Sequence, residues 1–363
     1  MLFRSNAYIS AFEKLELLVV VDVAMTETAR LAHYILPAAS QFEKLEASGF
    51  NLEFPENFFH LRHALFAPLE ESLPEPEIYT RLFEKMGLMP KSFPILGKIP
   101  SLSRFGYLAG LQILVKRKPH LGKYLSSIMY RTLGKTLPKN AESAAPLLGL
   151  TIVYAAKYFD EVKAAGYEGS RTTLGTTLFE AILANKSGVI ISKHKFADVW
   201  KLIKNKDKRI YLEIPEMLDE MRKLKHENLV NKEFPFILMA GERRSYNANQ
   251  IYRNPEWRKI DPKGTMRIHP EDAKELNLSN GAEVVCQSDT GSINAFVEID
   301  ASVRRKVVTL PNGYGLKYKN GEPIGPQLNL ITPGDNCDPL TKTPYHKYLP
   351  IKIKKSDNQN RER

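Results

Sequence analysis

The chain has 363 residues, 43% of them apolar, and a mean hydropathy of −0.31. That length allows two or three domains with their own cores, and the composition excludes disorder along most of the chain. Lysine and arginine outnumber aspartate and glutamate by 52 to 41, and the resulting formal charge of +11 suggests either an anionic partner or simply a mildly basic soluble surface.

Several classes of protein are excluded by simple motifs. The basic residues are scattered, and helix-turn-helix, zinc-finger and RNP motifs are absent, so no nucleic-acid partner is predicted. Arg4, Glu13 and Glu16 interrupt the apolar region that a signal peptide needs, and no uncharged stretch reaches the roughly 20 residues of a membrane span. We therefore expect a cytoplasmic protein without a membrane span. The two cysteines, Cys286 and Cys337, lie in no CxxC pair, which excludes a disulfide framework and a cysteine-based zinc or iron–sulfur site within this sequence.

Residues 1–90 have the pattern of a partial α/β domain with parallel strands. The almost continuously apolar stretch LELLVVVDV at 15–23 is typical of a strand buried on both faces of a parallel sheet. A polar loop follows, and then a short apolar stretch, YILP, at 34–37. The prolines that open LPEPEIYTRLFEKMG at 73–87 predict a helix, with Gly87 as its stop.

Residues 91–230 are predicted to be mostly helical, with breaks at prolines. Within them VIIS at 189–192 and RIYLEI at 209–214 favour strands, and PEMLDEMRKLK at 215–225 favours a helix that begins at its proline.

From residue 231 to 355 the pattern is that of short strands. FPFILMAG at 234–241 predicts a buried strand, HPEDAKELNL at 269–278 a short helix, and the residues around DTG at 289–291 a hairpin. Short strands with one small helix in about 120 residues favour a compact barrel. The polar tail at 356–363 is predicted to fray.

Two loops have the residue types of a ligand site, and each also has a simpler interpretation. GERRSYNANQ at 241–250 offers arginines for phosphate and amides for a heterocycle, or it is a surface turn whose arginines pair with Glu242 and Glu256. In DVAMTETA at 22–29, Asp22 and Thr26 can bond a ribose, a guanine edge or a phosphate, or the threonines simply cap a helix.

A third stretch, residues 328–350, is too broken by prolines for regular structure and contains the polar or aromatic residues Asn329, Tyr345, His346 and Lys347. A metal site built from Cys337 and the histidines matches no zinc spacing and is rejected. The GxSxG, HExxH, P-loop and GxGxxG motifs are also absent. The residues alone thus indicate binding loops without a catalytic motif.

Taken in order, these segments resemble the C-terminal part of the molybdopterin oxidoreductases, the family of formate dehydrogenases, nitrate reductases and dimethyl sulfoxide reductase. VVVDVAMTETARLAHYILPAASQFEK at 19–44 resembles a segment of the third domain of that family. The fourth domain is resembled by GERRSYNANQIYRNPEWRK, MRIHPEDAKELNLSNGAEVVCQSDTGS, VVTLPNGYG and LNLITPGDNCDPLTKTPYHK. The forms ERRSYNAN and TKTPYHK are most similar to formate dehydrogenases.

The resemblance implies a fold and a cofactor. The barrel would be a double-psi β-barrel of the aspartate-decarboxylase type, and it would bind molybdopterin guanine dinucleotide with molybdenum or tungsten. By the same resemblance Glu242, Arg243, Ser245 and Asn247 would face a pterin or its phosphates. Asn329, Tyr345 and Lys347 would close over the other side, and Asp22 and Thr26 would meet a guanosine.

The resemblance also implies partners. In the family, the iron–sulfur domain and the domain with the metal-ligating Cys, selenocysteine or Ser lie upstream of the segments found here. The expected partner is therefore the N-terminal half of the same enzyme or a separate subunit, and this chain alone is expected to be inactive. Residues 91–230 resemble an insertion found in one bacterial branch, and His33 stands where the family usually has Asp. The alternative is a non-enzymatic double-psi-barrel binding or adaptor module of the kind found on AAA ATPases.

Overall fold

The computed structural model describes residues 5–48, 53–224, 232–242, 253–319 and 321–356. The chain divides into two compact units. The barrel unit comprises Met1–Val19, Met25–Tyr34 and Tyr211–Arg363, and the helical unit comprises Val20–Ala24 and Ile35–Ile210.

The strands fall into three sheets. They are β1 (Val19–Asp22), β2 (Tyr34–Pro37), β3 (Glu46–Ser48), β4 (Glu56–Arg62), β5 (Val189–Lys193), β6 (Phe236–Glu242), β7 (Met266–Ile268), β8 (Glu283–Gln287), β9 (Ser292–Ile299), β10 (Val307–Pro311) and β11 (Leu349–Lys355).

The α-helices are concentrated in the helical unit. They are α1 (Ser5–Phe12), α2 (Glu75–Lys85), α3 (Arg104–Arg117), α4 (Leu125–Arg131), α5 (Leu147–Lys157), α6 (Phe159–Ala164), α7 (Leu174–Ala184), α8 (Val199–Leu202), α9 (Pro215–Lys223) and α10 (Pro270–Glu275). The predicted helices at 73–87, 215–225 and 269–278 are confirmed as α2, α9 and α10, and Gly87 follows α2 in the left-handed conformation (φ +71°).

The predicted barrel is confirmed: β10, β6, β11, β8, β9 and β7 close into a six-stranded barrel. Two of its pairs, β6 with β10 and β7 with β9, are parallel, and the other four are antiparallel. The core follows from alternation along the strands. Every second residue of β8, β9 and β11 points inward, which buries Val284 and Cys286, then Ile293, Ala295 and Val297, and then Leu349, Ile351 and Ile353.

The predicted parallel α/β arrangement of residues 1–90 is only partly found. The hydrogen bonds Tyr34 N to Leu18 O and Ala38 N to Asp22 O advance equally on both strands, so β1 and β2 run parallel, and Leu73 adds a parallel bridge to Ala38. In contrast, β3, β4 and β5 form an antiparallel sheet.

The burial expected for LELLVVVDV was wrong. Only its last part forms a strand, and Leu15, Leu17 and Val19 are 45%, 60% and 43% exposed. A strand is buried on both faces only when layers cover both faces, and the two-stranded β1–β2 sheet has no such cover among the described residues.

The helical unit has its own apolar core, to which α2 to α7 and β4 contribute. Its fully buried large side chains include Tyr107, Leu121, Ile128, Leu148 and Phe179. Residues 91–230 are mostly helical as predicted, and the strand at 189–192 is confirmed as β5. The strand predicted at 209–214 was wrong, because RIYLEI has no pairing partner in the described chain and Leu212 is 91% exposed.

In the described part of the chain, every helix is too short or too polar to cross a membrane.

Candidate functional site

The candidate site lies where two barrel strands end. Because β6 and β10 run parallel, their carboxyl ends lie at the same end of the barrel. Gly241, near the end of β6, has φ +90°, and a Cβ added to it would lie 3.0 Å from Asn312 Nδ2 and 3.6 Å from His346 Nε2. A side chain at 241 would therefore fill the space between Asn312 and His346, and its backbone conformation favours glycine.

Glu242 follows directly and accepts hydrogen bonds from side chains of two other barrel strands, β7 and β10. Its carboxylate accepts hydrogen bonds from Arg267 Nη1 at 2.5 Å and Thr309 Oγ1 at 2.6 Å. Arg267 also lies 3.2 Å from Glu298. The negative charge of Glu242 is thus balanced inside the barrel wall, which fixes the point where β6 leaves the barrel.

The stretch TKTPYHK forms a turn organised by Asp338. The backbone N–H and the hydroxyl of Thr341 donate to Asp338 Oδ1 at 2.6 and 2.9 Å, and they hold the pKa of this carboxyl below its usual value. A groove of about 340 Å³ lies along this turn. Tyr345 (42% exposed) and Lys347 line the groove and remain accessible to a ligand.

Asn329 belongs to a short 3-10 helix, Leu328–Leu330, that is anchored to the β8–β9 turn. Ser288 and Thr290 donate from their hydroxyls to Ile331 O at 2.7 and 2.9 Å. Gly291 approaches so closely that an added Cβ would lie 2.6 Å from Leu330 O. The turn therefore sets the position of the backbone that carries Asn329.

An ion pair that the sequence did not predict joins the loop TETA at 26–29 (the TETA loop) to the barrel. Arg253 donates to both carboxylate oxygens of Glu27, at 3.0 and 2.8 Å, and the backbone N–H of Lys317 donates to Glu27 at 3.1 Å. Burial raises the pKa of Glu27, but the hydrogen bonds from Arg253 and Lys317 outweigh it, so the net pKa is lowered. Arg30 adds a hydrogen bond to Lys319 O.

Asp22 and Thr26 have local hydrogen-bond partners. Thr26 Oγ1 accepts at 3.2 Å from the backbone N–H of Ala29, the first residue of the 3-10 helix Ala29–Leu31. Thr28, the residue directly before that helix, makes no side-chain capping hydrogen bond. Asp22 ends β1, and its Oδ1 accepts from the Val23 N–H at 2.7 Å. His33 Nδ1 accepts from the Leu18 N–H at 2.9 Å.

The loop NGYG (312–315), which follows β10, is held by an arginine that is 2% exposed. Arg258 stacks on the Tyr314 ring at 4.7 Å and donates to Gly313 O and Ile324 O, both at 3.3 Å. Asn312, the first residue after β10, therefore lies in a loop whose backbone is held in place by these contacts. The sequence signal for this was the Asn-Gly pair, which marks a tight turn but not the arginine behind it.

The remaining predicted residues, Arg243, Ser245 and Asn247, lie outside the described residues. Among the described ones, His, Cys, Asp and Glu form no cluster of three that could hold a metal ion. Burial raises the pKa of the Cys286 thiol to about 12, so this cysteine does not supply a thiolate at neutral pH.

The donor set at this end of the barrel fits a large anionic heterocyclic cofactor. Asn312, His346, Tyr345 and Lys347 present amide, imidazole, phenol and ammonium groups, which suit phosphates and the edge of a base. The carboxylates close by are compensated, Glu242 by Arg267 and Asp338 by its own turn.

Comparison with known proteins identifies this barrel. Residues 236–350 match the family described as "Molydopterin dinucleotide binding domain", and residues 4–84 match "Molybdopterin oxidoreductase". The chain belongs to the molybdopterin oxidoreductase family, and its barrel is the molybdopterin dinucleotide-binding domain. The match supports the predicted cofactor, molybdopterin guanine dinucleotide, and leaves the metal open.

Individual relatives agree with this assignment. The chain is 25% identical over 351 residues to the F420-dependent formate dehydrogenase 2 subunit alpha of Methanococcus maripaludis, which covers 95% of this chain and 40% of the relative. It is 27% identical over 93 residues to the acetylene hydratase of Syntrophotalea acetylenica, covering 25% of this chain and 13% of that enzyme. The solved acetylene hydratase from Pelobacter acetylenicus shares the fold, with a TM-score of 0.53 and 18% identity over 98% of this chain and 42% of that one. The chain thus spans well under half the length of these relatives.

Proposed function

We propose that this chain is the C-terminal, cofactor-binding part of a formate-dehydrogenase-like molybdopterin oxidoreductase. The observation that carries the proposal is the meeting of Gly241, Asn312 and His346 where β6 and β10 end, inside the matched dinucleotide-binding domain. When bound, the molybdenum or tungsten cofactor supplies two-electron oxidation of a small substrate such as formate. The chain itself binds and shields that cofactor.

The binding residues take different parts in this proposal. Glu242, Arg243, Ser245 and Asn247 border a pterin or its phosphates, with the charge of Glu242 balanced by Arg267. On the other side of the cofactor, in this proposal, Tyr345 and Lys347 supply a phenol and a positive charge and Asn329 an amide, while Asp22 and Thr26 serve a guanosine.

We also propose the finer fold and partners. The closed six-stranded barrel with two parallel pairs supports a double-psi barrel of the aspartate-decarboxylase type. Because the relatives are more than twice as long, the N-terminal half of the enzyme, on the same polypeptide or a separate subunit, would supply the metal ligand and the iron–sulfur cluster. A cytoplasmic location remains the prediction.

The proposal is tested on native material by measuring the intact mass of the complex and its molybdenum, tungsten and acid-released guanine. We expect the chain within an assembly above 41.2 kDa that holds about one metal ion and a guanine-containing cofactor. A free chain of that mass, with neither metal nor guanine, would show that the proposal is wrong.

A glycine pair sharpens this test. Gly241→Ala places a methyl group against Asn312 and costs backbone strain at φ +90°, so it should lower guanine content at least tenfold. Gly281→Ala is the matched control, because Gly281 has a similar φ of +81° in the same unit but open space around its Cβ. Equal cofactor loss in both variants would assign the effect to strain rather than to the site.

The ion pair of Glu27 with Arg253 weighs against the adaptor alternative. It ties the TETA loop to the barrel, whereas an adaptor barrel has no use for that loop. Capture of an AAA ATPase by the native chain, with no guanine released, would nevertheless favour the adaptor.

A further inference from the structure

The positive charge of the chain has one source. Residues 85–141, all in the helical unit, contain eleven Lys and Arg and not one Asp or Glu. Outside this segment 41 basic residues face 41 acidic ones (52 minus 11, against 41), so the whole excess of +11 belongs to it. The basic residues are spread along the chain, but the net charge is not.

Most of this charge is uncompensated. Arg104 pairs with Glu180, and Arg131 pairs with Glu77 and Glu84. The other nine form no ion pair within the described ranges; they are Lys85, Lys91, Lys98, Lys116, Arg117, Lys118, Lys123, Lys135 and Lys139. Three of them, Lys116, Arg117 and Lys118, follow one another at the end of α3 and are all exposed.

The same segment exposes apolar side chains. On α3, Phe105, Ala109 and Ile113 recur at every fourth residue, so they share one face, and Phe105 and Ile113 are 68% and 53% exposed. The opposite side of the helix buries Tyr107 and Leu111 in the core. A helix on a protein surface normally turns polar side chains to water, whereas α3 exposes Phe105 and Ile113 alongside the polar Gln112, Lys116 and Arg117.

An apolar groove adjoins this face. It has a volume of about 510 Å³, and its walls include Phe93, Ile95, Leu96 and Ile113, with Arg117 and Lys118 at its edge. Ile95 is 82% exposed. The backbone on either side is closely packed, because a Cβ on Gly110 would lie 3.0 Å from Leu96 Cδ1. The structure thus places aliphatic side chains and uncompensated cations on the same groove.

We propose that residues 85–141 bind the surface of an anionic phospholipid bilayer. Ile95, Phe105 and Ile113 enter the boundary between headgroups and acyl chains, and Lys116, Arg117 and Lys118 pair with lipid phosphates. At 14 residues α3 lies in the interface and does not span the membrane. Nucleic acid would account for the cations but not for exposed isoleucines, which do not stack on bases.

The test is flotation of the full chain with vesicles of phosphatidylcholine alone or with 30% phosphatidylglycerol. We expect binding to the anionic vesicles only, weakening as salt rises. At roughly a fivefold loss for each basic residue, K116Q/R117Q/K118Q should bind on the order of 100-fold more weakly. I95S/F105S/I113S should also lose binding, at unchanged net charge.

Matched controls separate position from composition. K193Q/K201Q/K223Q removes three exposed lysines that are each paired with a carboxylate, and L150S/V153S/M221S removes three exposed apolar residues elsewhere. Both should float like the unaltered chain, and circular dichroism verifies the fold of every variant. Equal effects of test and control variants would overturn the proposal.

Two further outcomes would also overturn it. One is binding of duplex DNA that the charge variant loses and the apolar variant keeps. The other is self-association in sedimentation velocity that the apolar variant abolishes, with no flotation by the unaltered chain. Because the proposed membrane-binding surface uses only residues of the helical unit, its test is independent of the cofactor assignment.

Discussion

At the scale of single residues, the Glu27–Arg253 pair links two segments that are 226 positions apart in sequence. Both side chains are mostly buried, at 19% and 23% exposure, so their loss should cost more than that of a surface pair. We expect Glu27→Gln to lower the free energy of unfolding of the barrel unit by about 1–2 kcal/mol. Asp198→Asn, which breaks the exposed Asp198–Lys201 pair of the helical unit, should leave the stability of its own unit nearly unchanged.

The same pair predicts a pH dependence. Because the pKa of Glu27 is lowered in the folded state, the stabilisation is complete above the unfolded value of about 4.3 and is lost as pH falls through the lower folded value. Urea titrations between pH 7 and pH 3 should show the difference between the native chain and Glu27→Gln shrinking only below about pH 4.3. A difference that already vanishes near pH 6 would assign the effect to another group.

At the scale of elements, α5 and α7 cross at a glycine. A Cβ on Gly175 would lie 2.5 Å from the Ile152 Cα, and the backbone there cannot yield cheaply. Gly175→Ala should therefore force the helices apart and destabilise the helical unit by about 1–3 kcal/mol, although alanine favours helices.

The control for this prediction lies in the partner helix. Gly149 is in α5 with open space around its Cβ, so Gly149→Ala should be neutral or stabilise by up to about 1 kcal/mol. Thermal unfolding of both variants measures the difference. If Gly175→Ala also stabilised the chain, the two helices would not be in the contact described.

Elements also show how far the sequence could be interpreted. Four of the six barrel strands were predicted from the sequence. β8 and β9 each have one buried and one more exposed face, and alternation along the sequence records that directly. β6 was predicted instead from its continuous apolar residues, and Phe236, Ile237 and Leu238 are all buried. RIYLEI at 209–214 has strand propensity, yet no partner supplies its hydrogen bonds. For LELLVVVDV, the apolar residues predicted burial. A strand is buried on both faces only when other elements pack on both faces, and the sequence of the strand alone does not determine that.

At the scale of the whole molecule, the chain matches 95% of its own length to only 40% of the formate dehydrogenase subunit. The purified chain should therefore not oxidise formate with a dye acceptor, since one of its two cysteines is buried and protonated and cannot help ligate a cluster. Activity assays with and without the complementary half of the enzyme measure this. Formate oxidation by the chain alone would mean that the proposed roles are wrong.

Composition and local pattern by themselves determined four of the six barrel strands, the family resemblance and the positive charge, whereas β7 and β11 were not predicted. The sequence also shows that the excess positive charge lies in residues 85–141, once acidic residues are counted together with basic ones. Only the tertiary structure decided which side chains meet: Gly241 with Asn312 and His346, and Glu27 with Arg253. The reason is physical, because local pattern reflects each residue's exposure to water, whereas a binding site depends on strand order and register between residues far apart in the chain.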